Sequence, residues 1–156
     1  MSKLPPMQTL YKTFIALLFL ASSVALGADG VIEVKSAYSP KETMDRLEAF
    51  AKQRGLIIFA RIDHAAGAAK VGKPLRPTEL LIFGNPQGGT PLMECSQTAG
   101  IDLPLKALVW QDASLQVWVG YNDPAFLARR HGAAQCPAVE PLSKALAGLV
   151  EQTVAR

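Results

Sequence analysis

The apolar positions change period along the chain, and each change marks out an element. Alternating apolar and polar residues in Val31–Ser36 (VIEVKS) predict a first strand. Ser39, Pro40 and Glu42 then supply an N-cap, a proline at the first helical position and an acid at the third, an arrangement that satisfies orphan backbone donors. A helix is expected from Pro40 to about Arg54, with Met44, Leu47, Phe50 and Ala51 as its buried stripe and Gly55 as its left-handed stop. Leu56–Ala60 (LIIFA), between a glycine and a charge, reads as a second strand, and Thr78–Phe83 (TELLIF) as a third. Between them Asp63–Gly72 (DHAAGAAKVG) is either a loop or a short alanine-rich helix capped by Asp63.

In the second half, Asn85–Gly89 (NPQGG) is dense in turn formers, and Thr90-Pro91 is expected to open a helix that ends at Gly100. Lys106–Gln111 and Leu115–Val119 flank Asp112–Ser114 as a hairpin that sets Trp110 against Trp118. Asn122-Asp123-Pro124 caps a short helix running to about His131 and stopped by Gly132. Leu142, Ala145, Leu146, Leu149 and Val150 share one face of a closing helix opened by Pro141. The order β-α-β-β-α-β-β-α has no regular β/α alternation. It indicates an α+β domain with a mostly antiparallel sheet and its helices on one face.

The first 27 residues stand apart from this pattern. Lys3 and Lys12 precede an apolar run from Phe14 to Leu26, shorter than the roughly 20 residues of a membrane span and of signal-peptide length. Small residues at Ala25 and Gly27 fit a cleavage site before Ala28. The expectation is a signal peptide over 1–27 and a single domain over 28–156, periplasmic or secreted. The rival is an uncleaved leader, which would be the protein's one tie to a membrane.

Composition changes the picture in two places. The chain carries a formal charge of +3, yet both basic residues of the leader go with it and no acidic residue does, so the domain is nearly neutral. Lys and Arg are scattered apart from Arg129-Arg130, so nucleic acid is not an expected partner. With 49% hydrophobic residues and 19% charged, the chain has ample surface to bury and is expected to be ordered.

Several segments are specific when taken together. Leu75–Pro86 (LRPTELLIFGNP), Gly89–Met93 (GTPLM), Gly100–Lys106 (GIDLPLK) and Tyr121–Pro124 (YNDP), with Asp63-His64, Arg129, His131 and Gly132, resemble the signature segments of domain-of-unknown-function family 302. The likeness runs from about Val31 to the closing helix. It implies a small α+β domain of TATA-binding-protein-like shape and a tendency to form homodimers. It implies no established activity, and the shared shape confers no DNA binding.

Cys95 and Cys136 lie outside that shared pattern. Export favours a disulfide between them, worth about 3 to 4 kcal/mol by loop closure. Two inert thiols are the alternative, because Cys95 falls at helical spacing from Leu92 and Ala99 on an expected buried stripe. A redox-active pair has no C-x-x-C spacing behind it. His64 and His131 are the only histidines, readable as structural, as ligand contacts, or as metal or haem donors. Neither H-x-x-x-H nor H-E-x-x-H spacing is present, and without C-x-x-C-H covalent haem attachment is excluded, so no cofactor is expected. Gly84–Thr90 lacks the lysine and spacing of phosphate-binding loops.

Asn85, Asp102, Lys106, Tyr121, Asn122, Asp123 and Arg129 fall near expected strand ends and helix starts, where with the histidines they would offer one polar rim to a small polar or anionic ligand. The competing reading gives each a local job: Asn85 to a turn, Asp123 to a helix cap, and Asp102 paired with Lys106. No catalytic pattern stands out. The leading expectation is thus an exported, non-enzymatic ligand-binding domain, against a redox or metal/haem-handling accessory domain, or a purely structural interaction domain.

Overall fold

A computed structural model describes residues 28–156, so the expected leader lies outside the described residues. Five strands, β1 (Val31–Ser36), β2 (Ile57–Asp63), β3 (Thr78–Gly84), β4 (Leu105–Gln111) and β5 (Val117–Asn122), form one sheet in the order β1-β5-β4-β3-β2. Every neighbouring pair is antiparallel. The helices are α1 (Pro40–Gln53), α2 (His64–Lys70), α3 (Pro86–Cys95), α4 (Pro124–Arg130) and α5 (Val139–Val154), with a 3₁₀ turn at Gln97–Ile101. The α+β architecture read from the sequence is therefore the observed one.

Burial alternates along β3, β4 and β5 and so divides the sheet into two faces. Leu81, Phe83, Ala107, Val109, Val117, Val119 and Tyr121 meet Met44, Leu47 and Ala51 of α1 and Leu146, Leu149 and Val150 of α5. Burying each large side chain contributes about 1.5–3 kcal/mol. A hydrogen bond of 2.8 Å between the Ser36 and Thr43 hydroxyls ties β1 to α1 inside this core. On the opposite face Trp110 pairs with Trp118, their rings stacked at 6.4 Å between centroids.

Local chemistry explains the element ends. Ser39 accepts the Glu42 N–H as the N-cap of α1. Asp63 accepts the Ala66 N–H, which settles the 63–72 ambiguity in favour of a helix, α2. Gly132, at φ 69°, ends the α4 segment as expected.

Several boundaries differ from expectation, β2 and β5 each running three residues further than read. α3 starts at Pro86, because Asn85 is extended and its side chain accepts the Gly88 N–H at 2.7 Å. The cap-plus-proline chemistry expected at Thr90-Pro91 thus operates five residues earlier, and Pro91 lies within the helix. The helix ends at Cys95, where Ser96 turns extended, and Gly100 belongs to the 3₁₀ turn. Cys95 is consequently exposed and not on a buried stripe. β5 begins at Val117: Asp112 accepts the N–H groups of Ser114 and Gln116, and Leu115 adopts φ 66°, lengthening the hairpin loop. α5 begins two residues before Pro141, which occupies its first turn.

A second, smaller cluster lies away from the main core. Leu92, Ala99, Ala128, Ala133 and Cys136 pack together there, with Ala138, Val139 and Leu142 against them.

Candidate functional site

The antiparallel register brings the last residues of β3 and β5 and the first of β2 and β4 to the same end of the sheet. α3 and the 3₁₀ turn span that end between β3 and β4. Beneath them is a cleft of about 890 Å³, within the size range of small-molecule sites. One wall is the α3 segment, with Pro86, Gly88, Gly89, Pro91 and Met93. The other is the body of the domain: Leu56, Phe59 and Phe83 from the sheet side, and Leu142, Leu146 and Leu149 from α5.

Gly88 and Gly89 let the α3 backbone come close to the space. A Cβ on Gly89 would sit 3.5 Å from Leu103 Cδ1, in ordinary contact and on the cleft wall. The polar groups at the margin are few. Arg54 is committed to α5, its guanidinium donating to the carbonyls of Ala145 and Gly148 and to the Gln152 side chain. Asn85 Oδ1 is used in the cap of α3.

Beyond the 3₁₀ turn, Asp102 and His131 meet. His131 Nε2 lies 2.6 Å from Asp102 Oδ2, and Nδ1 lies 3.0 Å from the Thr98 hydroxyl. With Nε2–H donating to the carboxylate, Nδ1 is left to accept the Thr98 proton. The Thr98 hydroxyl is itself within 3.1 Å of that of Ser96. Arg130 donates to the other Asp102 oxygen at 3.3 Å. The order hydroxyl, imidazole, carboxylate matches that of acid–base relays, but Thr98 does not line the cleft. Its geometric effect is to tie the 3₁₀ turn to the end of α4.

Lys106 does not pair with the Asp102 carboxylate. Its Nζ donates to the backbone carbonyls of Asp102 and Pro104, at 2.9 and 3.0 Å. The carboxylate points the other way, toward α4.

The remaining residues of the expected rim take separate places. Tyr121 is in the main core, and desolvation by burial raises its phenol above the usual value. Asn122 pairs with Val31, and Asp123 caps α4 by accepting the Ala125 N–H. Arg129 is exposed, its guanidinium 6.0 Å from the Phe126 ring centre. His64 opens α2 at the opposite end of the sheet, exposed. All but His64 thus gather at one end, yet among the cleft's lining only Asn85 comes from that set. Among the described residues no group of three or more His, Cys, Asp or Glu is placed to hold a metal ion.

Cys95 and Cys136 are joined as a disulfide, Cα atoms 6.0 Å apart. It links the end of α3 to the segment just before α5, and Pro137 and Ala138, next in sequence, line the cleft. Sequence reading missed the cleft, together with Thr98 and Arg54. The available signals were two consecutive glycines beside prolines and the bulky Phe59 in the second strand.

A one-sided antiparallel sheet with an apolar cleft at its end defines an α+β domain. The chain belongs to the family described as domain of unknown function DUF302, whose model matches residues 32–152. A solved structure titled uncharacterized conserved protein DUF302 from Bacillus stearothermophilus matches with a TM-score of 0.72 and 23% identity, covering 81% of this chain and 99% of that one. At that identity the likeness speaks for the fold. Two proteins named "Fluoride-specific ion channel FluC 1", from Brucella suis and Brucella abortus, are each 53% identical over 102 residues, 65% of this chain. The match covers 40% and 38% of those proteins, so the chain spans well under half of their length. Among the described residues no helix is long and apolar enough to cross a membrane.

Proposed function

We propose that this is an exported, non-enzymatic domain, periplasmic or secreted and homodimeric, that binds a mostly apolar small molecule in the cleft between α3 and α5. The observation that carries the reading is the lining: leucines, phenylalanines and prolines around about 890 Å³, with its bordering arginine already committed to α5. An apolar ligand body gains by leaving water there, at about 25 cal/mol per Å² of buried surface. The cleft therefore favours an apolar over the polar or anionic ligand that the residue types suggested.

A thermal-shift screen of amphipathic molecules, such as fatty acids, isoprenoids and aromatic acids, tests this against Gly89→Trp, which fills the space. Ligands are expected to raise the melting temperature of the wild type only. A screen in which no amphipathic compound stabilises the wild type, or in which the variant responds equally, would sink the proposal.

The Brucella relatives favour a second reading, in which the domain serves as an accessory to a membrane transport protein. In that case the fluoride ion itself is a poor match for the cleft, since a small, strongly hydrated anion needs several converging donors. Fluoride added to the same screen is expected to leave the melting temperature unchanged. A saturable fluoride-induced shift would favour the second reading over the first.

A further inference from the structure

The wall formed by α3 and the 3₁₀ turn is attached to the domain at few points. Its only buried side chains are Leu92 and Ala99, and they meet a cluster made mainly of alanines. Such contacts are small, and α3 contributes no side chain to the main core. The attachments that remain are polar and covalent: Thr98 and Asp102 to the end of α4 at His131 and Arg130, and Cys95 to Cys136. Both lie at the far end of α3, away from its start at Asn85–Pro86. Glycines at 88, 89 and 100 leave the segment little side-chain bulk of its own.

We propose that α3 with its 3₁₀ turn is a lid on the cleft and that the Cys95–Cys136 disulfide is its redox latch. This rests on the cleft being the binding site. In the oxidised protein the latch holds the lid against the start of α5, so the cleft is preorganised. A dithiol reductant opens it. The reductant's thiolate attacks Cys95 Sγ, the sulfur of the exposed cysteine, and the S–S bond breaks with the electron pair leaving on Cys136 Sγ. The second thiol of the reductant then displaces Cys95 from the mixed disulfide. The reductant leaves as its own disulfide, and both cysteines end as thiols with the two protons it gave up.

Reduction leaves the lid held by one leucine, one alanine and the bonds to His131 and Arg130. It then samples open positions, and ligand loses the wall against α5. Redox state thereby sets ligand retention, with the oxidised form the holding form.

The test uses the domain with 1-anilinonaphthalene-8-sulfonate as the apolar probe, titrated into oxidised protein, reduced protein and a Cys95→Ser, Cys136→Ser double variant. Oxidised protein is expected to bind saturably and the other two about tenfold or more weakly, through loss of preorganisation. Equal affinity in all three overturns the latch and leaves the cleft reading standing. Failure of the oxidised wild type to bind, or equal binding by Gly89→Trp, overturns the cleft reading itself. Amide hydrogen exchange on reduced protein guards against general unfolding. Faster exchange is expected in residues 86–101 with β3, β4 and β5 still protected, whereas no change, or a uniform rise, counts against a lid.

Discussion

Asp102 concentrates several roles on one side chain. Its carboxylate takes the His131 and Arg130 donors while its backbone carbonyl takes Lys106. Truncating it to Ala leaves His131 Nε2 buried without a partner, at a cost of about 1–3 kcal/mol. Urea denaturation should show that loss, with Asp102→Asn losing less because one acceptor remains. A value indistinguishable from wild type would mean the His131 contact is incidental. Gly120 makes a different demand, because a Cβ there would lie 2.7 Å from Trp110 Cζ3. Gly120→Ala must therefore push the indole off Trp118, costing about 1–3 kcal/mol as overpacking does and changing the near-ultraviolet circular dichroism of the tryptophan pair. An unchanged tryptophan spectrum would show that the ring gives without leaving the stack. Period-two alternation put Trp110 and Trp118 on one face of the hairpin, while their direct pairing follows from the loop being two residues longer than expected. The partners of Asp102 were not legible in the sequence, since they depend on where two loops meet.

At the scale of elements, α1 and the sheet are linked through Arg61. It reaches Asp45 and Glu48 on α1 and Glu79 on β3. Hydrogen bonds from Lys41 and then Arg61 hold the Asp45 carboxyl below its usual value, and Lys52 and Arg61 do the same for Glu48. Carboxyls depressed in the folded state stabilise it above their unfolded values, roughly pH 4, and the contribution is lost as pH falls through the folded values. Melting temperature should therefore decline from about pH 5 toward pH 3, with a shallower slope in Arg61→Met. Parallel slopes in the two proteins would remove Arg61 from the explanation. Helix α3 marks what the sequence left open at this scale. Asn85-Pro86 and Thr90-Pro91 both carry a capping residue before a proline, and nothing local ranks them. The choice follows from β3 ending at Gly84, with Asn85 already extended and free to cap. β1 and α1, by contrast, were legible almost to the residue because alternation, cap and stop all agreed there.

For the whole molecule, chain order told which residues reach one end of the sheet but not which of them share a cavity. Asn85, Asp102 and Asp123 all follow or precede strands at that end, so their common end of the sheet was readable. Their lateral separation across β3, β4 and β5 came only with the strand order. The same scale joins the disulfide to the expected leader, because structural disulfides form and persist mainly in oxidising compartments. Protein made with residues 1–27 and recovered from the periplasm should begin at Ala28 and show no reactive thiol when denatured without reductant. Protein made without them in a reducing cytosol should show two thiols, a mass greater by two hydrogens, and stability lower by about 3–4 kcal/mol from the opened loop. The two preparations should converge on air oxidation, since the folded domain holds the cysteines in bonding position. Two free thiols in the exported protein would sever the connection between compartment and latch. An intact leader on exported protein would instead place the same latched domain at a membrane surface, where any apolar ligand is exchanged with lipid rather than with water.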